Sequence, residues 1–188
     1  MGPQELLQFF SRKLAQYNIP FLLTGGMATG YYGFPRSTHD IDFIVEVGET
    51  SLKNLRRVLG DLGKNFMCDM EQLDYVMAPT LVTAYHFPST MKIDFWIVKT
   101  SNFTNEWKRR KQKQVLGQPI TLVSAEDLIL TKLAWCKEVY SERHLRDSIG
   151  IWHVQKGKLD KGYLQQKAKE LHILDLLKTM TKSKPISY

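Results

Sequence analysis

The sequence predicts an α/β (α+β) protein in which strands and helices mix over residues 1–123 and a helical lobe follows over 124–188. Three observations carry this. Short apolar runs bounded by Pro or Gly have the length of strands. Between them lie stretches with apolar residues at helical spacing, Leu6, Leu7, Phe10 and Leu14 first among them. From Ser124 onward only the helical spacing remains.

The elements follow in order. Residues 3–17 form an amphipathic helix, and 19–24 (Ile-Pro-Phe-Leu-Leu-Thr) a buried strand. Gly25 and Gly26 allow a tight turn, after which 27–32 begin a short helix whose free N–H groups would face a phosphate. A strand opens at Asp40, and Leu52, Leu55, Val58, Leu59 and Leu62 give a helix over 51–62. Residues 63–80 fit no pattern. Strands are predicted over 81–87 and 91–98, and a short hairpin over 114–116 and 120–123 about Gly117-Gln118-Pro119. Ser124-Ala125-Glu126-Asp127 has the form of a capping box and opens a helix; another spans 142–155, and 161–177 supply a last helical pair. The polar tail over 179–188 is expected to be mobile.

In a strand, Asp40 and Asp42 point to one face while Ile41 and Phe43 point to the core. Two carboxylates about 4 Å apart repel by roughly 4 kcal/mol at an effective dielectric of 20. Such a pair needs a raised pKa or a cation, and Mg2+ suits carboxylate and phosphate oxygens. An Asx-rich turn before an edge strand is the alternative, against which the upstream glycines speak. Neither Gly-x-x-x-x-Gly-Lys-Ser/Thr nor Gly-x-Gly-x-x-Gly occurs.

Downstream, Ile93, Phe95 and Ile97 share a strand face, which leaves Asp94 opposite them with Lys92 and Trp96. Asp94 is then either a third site carboxylate or a partner of Lys92 on a solvated face. Lys132 falls within the apolar stripe of Leu128, Ile129 and Leu133, where a cation must snorkel out or meet an anion. Asp147 follows Arg146 on the next helix, and neighbours there do not face each other; Asp147 would orient Lys132 or Arg36, or form a surface salt bridge.

The net charge of +7 favours a polyanionic partner. The run 107–113 (Trp-Lys-Arg-Arg-Lys-Gln-Lys) would track an RNA backbone with Trp107 free to stack, or else be a solvated helix face. Cys68 and Cys136 stand alone and are expected to be reduced, and the five histidines lack zinc spacing. Residues 14–35 are uncharged, but prolines and four glycines interrupt them; with no signal-peptide order at the N-terminus, a soluble cytoplasmic protein is expected.

The strand, Gly25-Gly26, the 13-residue gap and Asp40-Ile41-Asp42-Phe43 together resemble the nucleotidyltransferase superfamily with its polymerase-beta-like fold. Arg36-Ser37-Thr38-His39-Asp40-Ile41-Asp42 is similar to the form found in abortive-infection-type nucleotidyltransferase toxins and their relatives, and Glu126-Asp127-Leu128 through Lys132-Leu133 to a further stretch of theirs. The gap is longer than the family's usual one, and the chain is shorter than typical toxin relatives.

The resemblance implies a mixed sheet flanked by helices and a two-metal transfer (Mg2+ or Mn2+) of a nucleotide from a nucleoside triphosphate. By this resemblance Asp40, Asp42 and Asp94 would hold the metals, with Asp94 either ligating the first ion or taking the acceptor proton. Gly25 and Gly26 would cradle phosphates, Thr38 would bond a phosphate oxygen, Arg36 and Lys132 would neutralise phosphate charge, and Arg146 and Asp147 would support them. The implied acceptor is RNA or protein, with an antitoxin-type partner. Two other readings compete: modification of a small hydroxylated molecule, as by aminoglycoside nucleotidyltransferases, and a catalytically silent nucleotide-binding or partner-binding module.

Overall fold

The computed structural model describes residues 1–73 and 80–185. The described chain forms two compact units, Met1–Met27 with Ser37–Val123, and Ala28–Arg36 with Ser124–Tyr188. Helical residues after Met27 thus belong with the C-terminal helices, not with the strands that flank them in sequence.

The first unit contains α1 (Pro3–Gln16), β1 (Phe21–Thr24), the start of α2 (Gly25–Tyr32), β2 (Asp40–Val47), α3 (Glu49–Gly60), β3 (Phe66–Cys68), β4 (Thr80–His86), β5 (Met91–Lys99), α4 (Thr100–Arg109), β6 (Lys111–Val115) and β7 (Gln118–Leu122). Among the described residues the strands make one mixed seven-stranded sheet in the order β3-β4-β5-β2-β1-β7-β6. β2 runs parallel to β5 and β1 parallel to β7; the remaining neighbours are antiparallel.

Register follows from the apolar alternation. Ile41, Phe43 and Val45 stand opposite Ile93, Phe95 and Ile97, and all six are buried. A slip of one residue would turn these side chains to the other face, so burial fixes the pairing. Phe43 stacks on Phe95 at 5.9 Å, and Phe10 of α1 meets Phe95 edge-on at 5.7 Å. The four apolar residues of α1 named above are fully buried, and the Gly2 N–H donates to the Glu5 carboxylate at 2.8 Å.

The basic run is not a helix face. It begins on the last turn of α4 and continues onto β6 at the sheet edge. Trp107 is already engaged by Phe103, stacked at 5.3 Å, and by the Arg110 guanidinium at 4.3 Å. Exposed Lys111 and Lys113 discourage pairing of this edge with another strand. Between β6 and β7, Leu116 and Gly117 both take positive φ, which suits the twist of a tight hairpin.

The second unit contains the end of α2, α5 (Ala125–Glu138), α6 (Glu142–Gln155), α7 (Lys161–Glu170) and α8 (Leu174–Lys182). A Cβ on Gly33 would lie 3.0 Å from the Ile151 backbone nitrogen, and one on Gly150 3.1 Å from the Phe34 ring. This close approach ties residues 28–36 to α6. The expected mobile tail is instead helical as far as Lys182, because Met180 is fully buried and Ser183 O bonds His153 at 2.8 Å. Residues 186–188 of that tail, and 74–79 of the stretch that fitted no pattern, lie outside the described residues. Among the described residues no helix is long and apolar enough to cross a membrane.

Candidate active site

β1 ends at Thr24, and Gly25 at φ +61° turns the chain directly into α2. Helix therefore starts at the glycines themselves rather than after them. A Cβ on Gly25 would lie 1.8 Å from an Asp42 carboxylate oxygen, and one on Gly26 2.4 Å from the Thr38 hydroxyl oxygen. The glycines thus admit a carboxylate and a hydroxyl to the N-terminus of α2, where backbone N–H groups favour negative charge. Gly25→Ala should displace Asp42, add roughly 1–2 kcal/mol of backbone strain and abolish activity. A lowered melting temperature together with lost nucleotide binding would show this.

Strand register assembles the acids. Thr24, Asp42, Asp94 and Thr83 form one row across β1, β2, β5 and β4. The Thr83 hydroxyl donates to Asp94 Oδ1 at 2.6 Å, a strong bond that aims this carboxylate. Asp42 accepts from the Gly26 N–H at 3.4 Å and from Trp96 Nε1 at 3.5 Å, both long. Asp40 lies in the neighbouring row, opposite Lys92, and Thr38 folds back onto the Asp40 backbone at 3.3 Å.

These carboxylates carry surplus negative charge. Burial, and then the charge of Asp94, pushes the Asp42 carboxyl above the usual range against weaker lowering by Trp96 and Gly26. Burial also raises Asp94; the Thr83 hydrogen bond opposes this, Asp40 adds to it and Lys92 subtracts. Among the described residues no three His, Cys, Asp or Glu side chains close together as a ready-made metal cage. Yet two half-buried carboxylates in register, each shifted toward protonation, are a donor set that a hard divalent cation would relieve, so the residues fit the implied ion.

In the second unit Lys132 meets an anion. Its ammonium bonds Asp147 Oδ2 at 2.8 Å, and Arg36 grips both Asp147 oxygens at 3.0 Å through Nε and Nη2. The Asp147 side chain is fully buried, with Lys132 at 6% and Arg36 at 13% exposure. Burial alone would raise Asp147, but the hydrogen bonds from Arg36 and the charge of Lys132 outweigh it and hold this carboxyl below the usual range. Arg146 stands apart, paired with Glu142 at 3.3 Å on the exposed side of α6.

Lys132 therefore does not snorkel, and Lys132→Met should not be neutral. It removes one of the cations that meet Asp147, so a loss of about 1–3 kcal/mol, less than for a fully orphaned ion, should appear on thermal melting.

The sequence reading missed Thr83. It also missed that the cap of α5 is a buried network: Ser124 Oγ accepts from the Asp127 N–H at 3.0 Å, the Tyr163 hydroxyl donates to Asp127 at 2.5 Å, and Glu126 accepts from the Asp160 N–H at 2.8 Å. Glu126 and Asp127 thereby hold α7 to the start of α5.

Comparison with solved structures finds the same fold at low identity. ANT(2")-Ia in complex with adenylyl-2"-tobramycin has a TM-score of 0.64 and 13% identity over 90% of this chain and 96% of the other. An antigenic nucleotidyltransferase-like protein from Paracoccidioides brasiliensis has a TM-score of 0.57 and 17% identity over 98% and 94%. The lincosamide antibiotic adenylyltransferase LnuA, lincomycin-bound, has a TM-score of 0.56 and 14% identity over 82% and 98%. No curated protein matches. The family model described as "Nucleotidyl transferase AbiEii toxin, Type IV TA system" matches residues 8–173, so the chain belongs to the AbiEii nucleotidyltransferase family.

Proposed function

We propose that this chain transfers a nucleotide from a nucleoside triphosphate to an acceptor hydroxyl of RNA or protein, with Mg2+ or Mn2+ bound through Asp42, Asp94 and the neighbouring Asp40. The observation that carries this reading is the register pairing of Asp42 with Asp94 beside the glycine-opened N-terminus of α2.

The N–H groups at the start of α2 and the Thr38 hydroxyl bind donor phosphate oxygens. Arg36 and Lys132 are the candidate cations for phosphate that the family resemblance implies. A bound divalent ion supplies charge neutralisation on the triphosphate. The acceptor oxygen forms a bond to the α-phosphorus, the bond from that phosphorus to the bridging oxygen breaks, and pyrophosphate departs with the electron pair. Asp94, held by Thr83, takes the hydroxyl proton. The match to a family described as a type IV toxin–antitoxin nucleotidyltransferase supports an antitoxin-type partner.

The test is incubation with each of ATP, CTP, GTP and UTP labelled at the α-phosphate, together with Mg2+ or Mn2+ and a total RNA and protein extract. Label should pass to a macromolecule with at least one of the four. No transfer with any of them would overturn the reading.

A further inference from the structure

A groove of about 580 Å3 opens on the second unit between α7 and α8. Lys161, Gln165 and Lys169 recur every four residues and line its α7 wall, while Leu174 and Lys178 line the α8 wall. Trp152 of α6, with Leu164 and Leu177, makes an apolar floor. None of these residues belongs to the carboxylate row or to the Lys132–Asp147 cluster, so the groove stands apart from the transfer reading.

Positive charge is concentrated around it. Residues 156–188 carry eight lysines against three acids and so hold most of the net +7. Each of those acids is engaged: Asp160 caps α7 by accepting the Tyr163 N–H at 2.9 Å, Glu170 pairs with Lys167 at 2.8 Å, and Asp175 with Lys178 at 3.3 Å. Among the described residues no carboxylate lines the groove, and neither Lys161 nor Lys169 forms an ion pair.

We propose that this groove docks a helix of a protein partner, one whose apolar ridge is flanked by Asp or Glu. Both walls are helices whose backbone groups bond within the helix, so they offer nothing to the backbone of an extended segment. Such a segment would leave its own N–H and C=O groups unpaired over the apolar floor, whereas a helix satisfies them internally. The stripe from Lys161 to Lys169 runs about 12 Å, or two turns. Residues i, i+3 or i+4, and i+7 of the partner therefore meet Trp152, Leu164 and Leu177. Lysines on both walls call for acids on both flanks of that ridge. A nucleic acid has no apolar ridge to fill the floor, and a flat anionic membrane does not enter a concave one.

The probe is a peptide of about 15 residues, held helical by a side-chain crosslink, with Leu at i, i+3 and i+7 and Glu on both flanks. It is titrated into the full chain by calorimetry beside two companions, one with Lys for Glu and one with Ser for Leu. Wild type should bind the Leu/Glu peptide at least about tenfold more tightly than either companion. Lys161→Glu combined with Lys169→Glu should weaken that peptide about tenfold, strengthen the Leu/Lys peptide, and leave the melting temperature unchanged. Failure of the Leu/Glu peptide to bind, or to outbind its companions, would overturn the proposal, as would unchanged affinity in the double reversal. Binding of single-stranded RNA or of phosphatidylserine vesicles, lost in the double reversal and not displaced by the Leu/Glu peptide, would overturn the protein partner in favour of that anion. Binding of the Leu/Glu peptide only to a chain ending at Pro185 would assign the groove to residues 186–188 instead.

Discussion

Asp94→Asn should fold, melt no lower than wild type, and lose nucleotidyl transfer by a factor of at least about 100. The two halves of this result come from one cause. Asp94 sits beside Asp42 in register, and burial raises the carboxyl pKa of both. A carboxyl whose folded pKa lies above its unfolded value stabilises the fold below the unfolded pKa, and that contribution is lost as pH rises through the folded pKa. At neutral pH the metal-free protein therefore carries both charges at a loss, and the amide relieves it. Melting should rise by about 2–4 °C for each kcal/mol of repulsion removed, and the gain should vanish near pH 3. Single-turnover assays alongside pH-dependent melting would establish both halves. An active Asp94→Asn protein would return Asp94 to a surface partner of Lys92.

Asp147→Asn is expected to give the largest loss of stability, about 3–5 kcal/mol. Lys132 and Arg36 would lose the charge of this fully buried carboxylate, and an amide cannot accept the Arg36 fork on both atoms. Here the sign of the pH dependence is reversed. The Asp147 carboxyl is held below the usual range, so its contribution is present above the unfolded pKa and is lost as pH falls through the folded one. Wild type should lose stability on acidification through this group, and Asp147→Asn should lack that part of the acid dependence. Chemical denaturation at pH 7 and pH 3 measures it. Equal stability of the two proteins at pH 7 would show that the cluster does not hold the second unit together.

The contrast between the two carboxylates shows where sequence is informative. The position of Asp42 and Asp94 on one face was legible, because alternation with Ile41, Phe43, Ile93 and Phe95 leaves a strand no other choice. Their pairing in one row depends on parallel register between β2 and β5, which no local pattern encodes. Thr83 was within reach: with Phe87–Ser89 at the turn, His86 faces Met91, and counting back places Thr83 opposite Asp94. The anion that Lys132 requires could be inferred from its apolar stripe, but the convergence of Arg36, 111 residues before Asp147, on the same carboxylate is a tertiary event. The last helix was expected as far as Leu177, but its continuation to Lys182 was not, because polar residues there hid Met180, whose burial holds it in place. Trp107 and the lysines after it look uniform in sequence, yet a break at Arg110 divides them between a helix and an edge strand.

Asp42, Asp94 and the start of α2 are proposed as the donor-binding centre, which requires a divalent ion. Calorimetric titration of wild type and Asp42→Asn with each triphosphate, in the presence and absence of Mg2+, tests it most directly. Wild type should bind at least one triphosphate with an affinity that Mg2+ raises, while Asp42→Asn keeps its fold and loses the Mg2+-supported part. Equal Mg2+-supported affinity in the two proteins would contradict it.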